Sequence, residues 1–125
     1  MGVEPPARVW IVDGDQWPRA SLRAELIERG YDAVGFVTLR EALIRLLASP
    51  AQRPDAIVID LREQLEDPRP LAAIFGQEIP VIAIAGGAEA AAEGIQDLPW
   101  AAFLRRPVTI GDVAESLRGV DSHSK

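Results

Sequence analysis

Short apolar runs alternate along the chain with longer amphipathic segments. Five runs have the length and the β-branched or aromatic composition of strands: 8–12, 33–37, 56–60, 80–84 and 101–104. The third is apolar up to an acid at its end, which is typical of a strand buried on both faces of a parallel sheet. Because a helix-like segment follows each run, the pattern predicts an α/β fold with a parallel sheet and helices on both faces.

Start and end signals define the first two helices. Pro18 stands near the start of the first and Gly30 at its end. Thr38 precedes the second, Glu41 completes a capping-box pattern, and Ser49 with Pro50 ends it. The apolar stripes expected to face the sheet are Leu22, Leu26 and Ile27 in the first helix and Ala42, Leu43, Leu46 and Leu47 in the second.

The later helices have weaker signals. Prolines 68 and 70 leave only a short third helix over residues 71–75, and residues 88–93 are alanine-rich and weakly helical. The last helix is predicted over residues 110–118, capped by Thr109 and ended by Gly119, with Ile110, Val113 and Leu117 inward. A length of 125 residues fits one domain. We assign it to residues 1–120, with 121–125 as a polar tail or the start of a linker.

Composition excludes several classes of chemistry. The chain has no Cys, its single His is His123, and its single Lys is Lys125 among thirteen basic residues. Disulfides, thiolate metal sites, a histidine base within the fold and lysine chemistry are therefore excluded. A net charge of −6 argues against nucleic-acid binding by this domain. No apolar run approaches the ~20 residues of a membrane span, and the first residues lack a secretory signal, so we expect a cytoplasmic protein.

Charged residues follow the predicted strands where a doubly wound sheet places its sites, at the C-terminal strand ends. Asp13, Gly14 and Asp15 follow the first strand, and Asp60 ends the third, followed by Leu61 and Arg62. Ala85 follows the fourth strand, and Arg105, Arg106 and Pro107 follow the fifth. Clustered carboxylates need a compensating cation, which Mg²⁺ or an arginine can supply. Alternatively, Asp13 and Asp60 cap the next segments in solvated loops.

The chain resembles the receiver domains of bacterial two-component response regulators, roughly from Arg8 to Arg118. The resemblance rests on Val12-Asp13 and on the stretches 54–61, 79–82 and 103–107. It implies a flavodoxin-like sheet in the order 2-1-3-4-5. It also implies a phosphoryl transfer from a histidine kinase to an aspartate, with Mg²⁺.

Carried over position by position, the resemblance is incomplete. Asp60 falls on the phospho-accepting aspartate and Asp13 on the first residue of the acidic pair, but Gly14 falls on the second. Ala85 falls on the Ser or Thr whose hydroxyl bonds the phosphoryl group. Arg106 falls on the family's lysine, before a proline whose peptide bond is often cis. Phe103 falls on the aromatic switch position, and Asp15 lies one residue beyond the acidic pair.

These departures lead to a hypothesis of a degenerate receiver, or pseudo-receiver. It is not an enzyme, binds no cofactor or only weak Mg²⁺ at Asp13 and Asp60, and signals through protein contacts. Arg62 or Arg106 would pair with these aspartates where metal otherwise sits. The alternative is a working receiver in a phosphorelay, phosphorylated on Asp60. A flavodoxin-like cofactor domain is disfavoured because Asp13 and Asp15 would repel phosphate.

The resemblance also suggests partners. A histidine kinase, an output domain or another signalling protein would bind the domain. Trp100 lies near the face formed by helix four, strand five and helix five, which receivers often use for dimers. We expect an interface role for Trp100 if it is exposed, and a packing role if it is buried. Trp10, on the first strand, is predicted to lie in the core.

Overall fold

The structure, a computed structural model, describes residues 6–123, with side chains to residue 120. Its five strands are β1 (Arg8–Val12), β2 (Asp32–Phe36), β3 (Ala56–Asp60), β4 (Val81–Ala85) and β5 (Ala102–Arg105). Its five α-helices are α1 (Gln16–Glu28), α2 (Leu39–Ala48), α3 (Arg69–Phe75), α4 (Gly87–Ala90) and α5 (Ile110–His123). Two short 3₁₀ turns, Pro50–Gln52 and Ile95–Asp97, precede β3 and β5.

The strands form one parallel sheet in the order β2-β1-β3-β4-β5, which confirms the predicted fold class and strand order. The strand order reverses between β1 and β3, so the residues that follow these two strands face a common crevice. Asp13 follows β1, and Asp60 is the last residue of β3. The topology therefore positions both carboxylates at one edge of the sheet.

Apolar side chains cover both faces of the sheet. One core cluster packs Trp10, Phe36 and Ile59 against α2 and α3, and the other packs Ile11 and Val58 against α1 and α5. All five residues of β3 are buried, as its continuous apolar run predicted. Trp10 is in the core, as expected, with its ring 4.8 Å from that of Phe36.

The helix faces differ in part from the prediction. Ile27, Leu47 and Ile110, which were expected to face inward, are 46%, 63% and 38% exposed. The prediction was wrong because a helix at the margin of a sheet has fewer residues to pack against than its apolar stripe suggests. Leu39, at the first position of α2, is buried instead.

Two helix ends also differ from the prediction. Thr109 caps α5 by accepting the Asp112 N–H at 3.0 Å, but the helix continues through Gly119 to His123. Conversely, α4 has only four residues, ending at Ala90. The division between a domain and a tail at residue 120 stays a prediction, and residues 1–5 and 124–125 lie outside the described residues. Across residues 6–123, no helix has both the length and the apolar character needed to cross a membrane.

Candidate functional site

Two buried carboxylates lie at the C-terminal edge of the sheet. Asp13 and Asp60 are only 6% and 5% exposed. One oxygen of Asp13, Oδ1, accepts the Asp15 backbone N–H at 2.8 Å. The backbone carbonyl of Asp13 accepts a hydrogen bond from the Arg19 guanidinium at 2.7 Å. Burial of two acids side by side is unfavourable without a cation, so their compensation decides the chemistry of the site.

Arg62 supplies the first cation. Its Nε and Nη2 donate to Oδ1 and Oδ2 of Asp60, both at 3.2 Å, in a bidentate arrangement. The Arg62 backbone N–H also donates to Asp60 Oδ1, at 3.1 Å. The same guanidinium lies 3.9 Å from Asp13 Oδ1. Arg62 therefore spans both buried carboxylates.

Arg106 supplies the second cation, from the end of β5. Its Nη1 donates to Asp60 Oδ2 at 2.8 Å, and its Nη2 donates to Glu89 Oε1 at 3.0 Å. That Glu89 oxygen also accepts the Gly86 backbone N–H at 2.8 Å. The peptide bond between Arg106 and Pro107 is cis. Hereafter Asp13, Asp60, Arg62, Glu89 and Arg106 are called the Asp60 cluster.

The electrostatics of the cluster follow from burial and pairing. Burial raises the pKa of Asp13, and the nearby Asp60 charge raises it further, while the Asp15 N–H and Arg62 lower it. The hydrogen bond from Arg62 to Asp60 raises the pKa of that guanidinium, which holds it firmly in the charged form. The ionised form of Asp13 is therefore disfavoured in the folded chain.

Two open cavities meet at the cluster. One, of about 470 Å³, is bounded by Asp60 and Arg106 on one side and by Trp17, Pro18 and Ile110 on the other. Trp17 is 79% exposed at its rim. The other, of about 320 Å³, lies between Asp13, Arg62 and the loop after β1. Arg62 forms part of the wall of both cavities.

Comparison with known structures identifies the fold. A response regulator receiver protein from Pseudomonas putida matches with a TM-score of 0.78 and 25% sequence identity, covering 94% of this chain and 99% of that one. The chain has the receiver fold. A receiver protein from Burkholderia phymatum matches with a TM-score of 0.75 at 24% identity, covering 91% and 94% of the two chains. A receiver domain protein from Clostridium thermocellum matches with a TM-score of 0.74 at 16% identity, covering 94% of this chain and 95% of that one.

Sequence comparison gives a different result from structural comparison. No model of a known protein family matches the chain, and no curated protein sequence matches it either. The likeness to receivers therefore lies in the order of strands and helices and in a few residues at the strand ends.

Ala85 and Gly14 are the two positions at which the resemblance to receivers predicts a missing functional group. Ala85, at the end of β4, is completely buried and carries no hydroxyl. Gly14 is exposed, and a Cβ there would lie 3.7 Å from the Glu63 carboxylate and 3.8 Å from the Gln64 amide. Because these are ordinary contact distances, a larger residue fits at position 14. The missing side chain is not imposed by the backbone.

The arrangement does not fit the magnesium site that the receiver fold implies. Within the part of the chain that is described, no group of three or more His, Cys, Asp or Glu side chains is placed to hold a metal ion. Asp60 is engaged by two guanidinium groups, and Asp15 is turned to cap α1, accepting the Trp17 N–H at 3.2 Å. Mg²⁺ prefers several oxygen ligands in octahedral geometry. This site offers too few free oxygen ligands for Mg²⁺, and two guanidinium groups already bind the Asp60 carboxylate.

The remaining predicted residues lie away from the cluster. The ring centroids of Phe103 and Trp100 lie 5.9 Å apart. The Trp100 ring also packs edge-on against Phe75, with their centroids 5.0 Å apart. Trp100 is half-buried, and its indole N–H donates to the Ile95 carbonyl at 2.7 Å. These contacts give Trp100 a packing role. An interface role for it stays a prediction.

Sequence reasoning missed two residues that hold the site together. Glu89 is one, and its signal was present as an acid three residues after the N-cap Gly86. The other is Gln64, a buried amide that donates to the Val37 carbonyl at 3.0 Å and accepts the Leu39 N–H at 3.1 Å. Gln64 thereby ties the loop after β3 to the loop after β2. A lone Gln in a loop gives no sequence signal for such a role.

Proposed function

We propose that this chain is a degenerate receiver domain that takes part in signal transduction by binding protein partners, with an impaired or absent phosphorylation switch. The carrying observation is the pairing of both Asp60 oxygens by Arg62 and Arg106. A phospho-accepting carboxylate needs a free oxygen as nucleophile and a metal ion to offset charge on the phosphoryl group. At Asp60 both oxygens are engaged as hydrogen-bond acceptors.

In a receiver that switches, phosphorylation supplies the charge that links the strand ends to the neighbouring helix. In this chain the pairing of Asp60 with Arg62 and Arg106 supplies that link without a phosphoryl group. Arg106 bridges Asp60 to Glu89, which lies at the start of α4. The bridge ties the end of β3, the end of β5 and the start of α4 into one charge network without an added group. Ala85 adds no hydroxyl that would favour a phosphorylated state. We infer that the domain rests in a single conformation that partners such as a kinase, an output domain or another signalling protein recognise.

A working receiver phosphorylated on Asp60 is the competing function. It is favoured by the burial of Asp60 next to Asp13 at the expected strand ends. Incubation with acetyl phosphate and Mg²⁺, followed by intact-mass measurement, separates the two. We expect no phosphoryl adduct on the natural chain. An adduct that disappears in Asp60→Asn would overturn the proposal in favour of the working receiver.

A gain-of-function variant provides the matched control. It combines Gly14→Asp, Arg62→Ala, Ala85→Thr and Arg106→Lys, which restores the acid, the hydroxyl and the lysine and frees Asp60. If the arginine pairing and the two missing groups are what block the reaction, this variant acquires an adduct under the same conditions. Adding Asp60→Asn to it should abolish the adduct, and circular dichroism checks that each variant is folded.

A further inference from the structure

A second open surface lies at the opposite margin of the sheet from β5. β2 is an edge strand, flanked by α1 and α2. Two open cavities, of about 680 and 310 Å³, share Val34 and Gly35 of β2 and extend to the two helices. We call this surface the β2-edge groove, defined by Arg19, Arg23 and Ile27 on α1, Gly35 on β2, and Ile44 and Arg45 on α2.

The floor of the groove offers main-chain groups. In a parallel pair, alternate residues direct both their N–H and C=O to the same neighbour. The Asp32 N–H donates to the Ala7 carbonyl and the Phe36 carbonyl accepts the Asp13 N–H, so these residues face β1. The main-chain N–H and C=O groups of Ala33 and Gly35 consequently point away from β1, towards the outside of the sheet. An edge strand of this kind is a template for an added strand once the side chains that cover its main-chain groups move aside.

Each wall of the groove exposes an apolar side chain to solvent. Ile27 and Ile44 are 46% and 58% exposed on the two helices that flank β2. Ala20 and Ala24 line the α1 side and Ala48 the α2 side. The Arg19 side chain lies against Gly35, where a Cβ would be 3.1 Å from its Cγ and Cδ, and the Arg23 guanidinium lies on the Ala33 carbonyl. A groove with an open strand edge and isoleucines on both walls suits a polypeptide with alternating side chains.

The charge of the groove is opposite to that of the chain. The net charge of the chain is −6, yet the groove holds three arginines that form no ion pair with a described carboxylate. Arg19 donates to the Asp13 carbonyl, Arg23 donates to the Ala33 carbonyl at 2.9 Å, and Arg45 lies 5.6 Å over the Phe36 ring. The described acid in the lining is Glu41, which accepts the Val37 N–H.

We propose that the β2-edge groove binds an extended acidic segment of another protein, which pairs with β2 and places carboxylates on Arg19, Arg23 and Arg45. The Arg23 side chain occupies the outward carbonyl of Ala33 and guards the edge. A carboxylate on the incoming segment draws this guanidinium away and frees the carbonyl for main-chain pairing. Nucleic acid and anionic lipid are disfavoured because the net charge of −6 on the chain repels polyanions.

The groove is independent of the Asp60 cluster. None of its defining residues forms an ion pair within that cluster, although the Arg19 guanidinium contacts the backbone carbonyl of Asp13. Asp60→Asn should therefore leave binding at the groove unchanged. Failure of the proposed function and failure of this inference are thus separate results.

The test uses a blocked peptide of about ten residues in which glutamate alternates with valine, titrated into the ¹⁵N-labelled full chain and followed by NMR. We expect saturable shifts confined to residues 19–27, 32–37 and 44–48. A peptide with lysine in place of glutamate is the control and should bind at least tenfold more weakly. Raising the salt concentration from about 0.05 M to 0.3 M should weaken binding of the glutamate peptide several-fold.

Variants assign the binding to named residues. Arg23→Glu and Ile44→Asp should each weaken the glutamate peptide at least tenfold, and both positions are exposed, so folding is preserved. Ile110→Asp, an exposed apolar residue outside the groove, is the matched control and should bind like the natural chain.

Several results would overturn the proposal. These are equal binding of the two peptides, no saturable shift at millimolar peptide, or shifts centred on Asp60 rather than on β2. Sedimentation of the chain alone tests whether the occupant is a second copy. A dimer that Ile44→Asp dissociates would assign the groove to self-association and exclude the proposed partner.

Discussion

The arginines of the Asp60 cluster and those of the β2-edge groove have different hydrogen-bond partners. In the cluster, Arg62 and Arg106 face carboxylates, one of them the buried Asp60, and their hydrogen bonds are charge-assisted. In the groove, Arg19 and Arg23 donate to backbone carbonyls, and no described carboxylate neutralises them. The comparison shows that the partner decides what an arginine does. A buried carboxylate fixes the guanidinium in place, whereas a carbonyl leaves its charge available.

The largest expected effect is the loss of Arg106. Arg106→Ala leaves Glu89 without its cation and Asp60 with one cation instead of two, so the free energy of unfolding should fall by about 2–3 kcal/mol. Urea denaturation measures it. Arg105→Ala, the exposed neighbour on β5, is the control and should change stability by less than about 0.5 kcal/mol. Equal effects at the two positions would contradict a special role for the cluster.

A smaller effect is expected from crowding Arg106 rather than removing it. A Cβ at Gly86 would lie 3.1 Å from Arg106 Nη2 and 3.3 Å from Glu89 Oε1, whereas a Cβ at Gly87 would meet nothing within 4 Å. Gly86→Ala should therefore cost about 1 kcal/mol. Gly87→Ala should gain about 0.5 kcal/mol by reducing the entropy of the unfolded chain. Thermal unfolding of the pair measures the difference, and the same sign at both positions would count against close packing around Arg106.

Asp13 tests whether the cluster has surplus negative charge. Because the pKa of Asp13 is raised in the folded state, its ionised form opposes folding at neutral pH. Asp13→Asn keeps an acceptor for the Asp15 N–H and should stabilise the chain slightly at pH 7, by less than about 1 kcal/mol. The gain should shrink as the pH falls through the folded-state pKa of Asp13 and disappear below 3.8, where the natural residue is protonated in both states. A loss of stability at pH 7 would mean that Arg62 needs both carboxylates.

The smallest effects are expected in the groove. Arg23→Gln and Ile44→Ser should each change the free energy of unfolding by less than about 0.5 kcal/mol, because both side chains are exposed. Denaturation under the same conditions as for Arg106→Ala allows a direct comparison. If Arg23→Gln costs as much as Arg106→Ala, the bond to the Ala33 carbonyl is structural, and the contrast between the two regions fails.

Much of this architecture is predictable from local sequence. The strand bounds agree within one residue because each strand is a short apolar run, and β3 has no polar residue before Asp60. The residues that end the strands meet at one edge because the topology requires it. The sequence alone therefore predicts that four charged residues lie near each other: Asp13, Asp60, Arg62 and Arg106.

The unpredicted features depend on distant neighbours. The exposure of Ile27 depends on the absence of a strand beyond β2 in the described sheet. The role of Glu89 depends on Arg106, seventeen positions away. That of Gln64 depends on the backbone of Val37 and Leu39, twenty-seven and twenty-five positions away. The periodicity of apolar residues describes each helix alone and carries no information about contacts between distant segments of the chain.

The three tryptophans give the molecule a built-in set of optical reporters. Trp10 is 2% exposed beside Phe36, Trp100 is half-buried with its N–H bonded, and Trp17 is almost fully in water at the rim of the cavity that contains Asp60 and Arg106. Their emission should spread from blue to red in that order. Detection at the red edge of the emission selects Trp17 and follows ligand entry at the Asp60 cluster, while the blue component reports unfolding of the core.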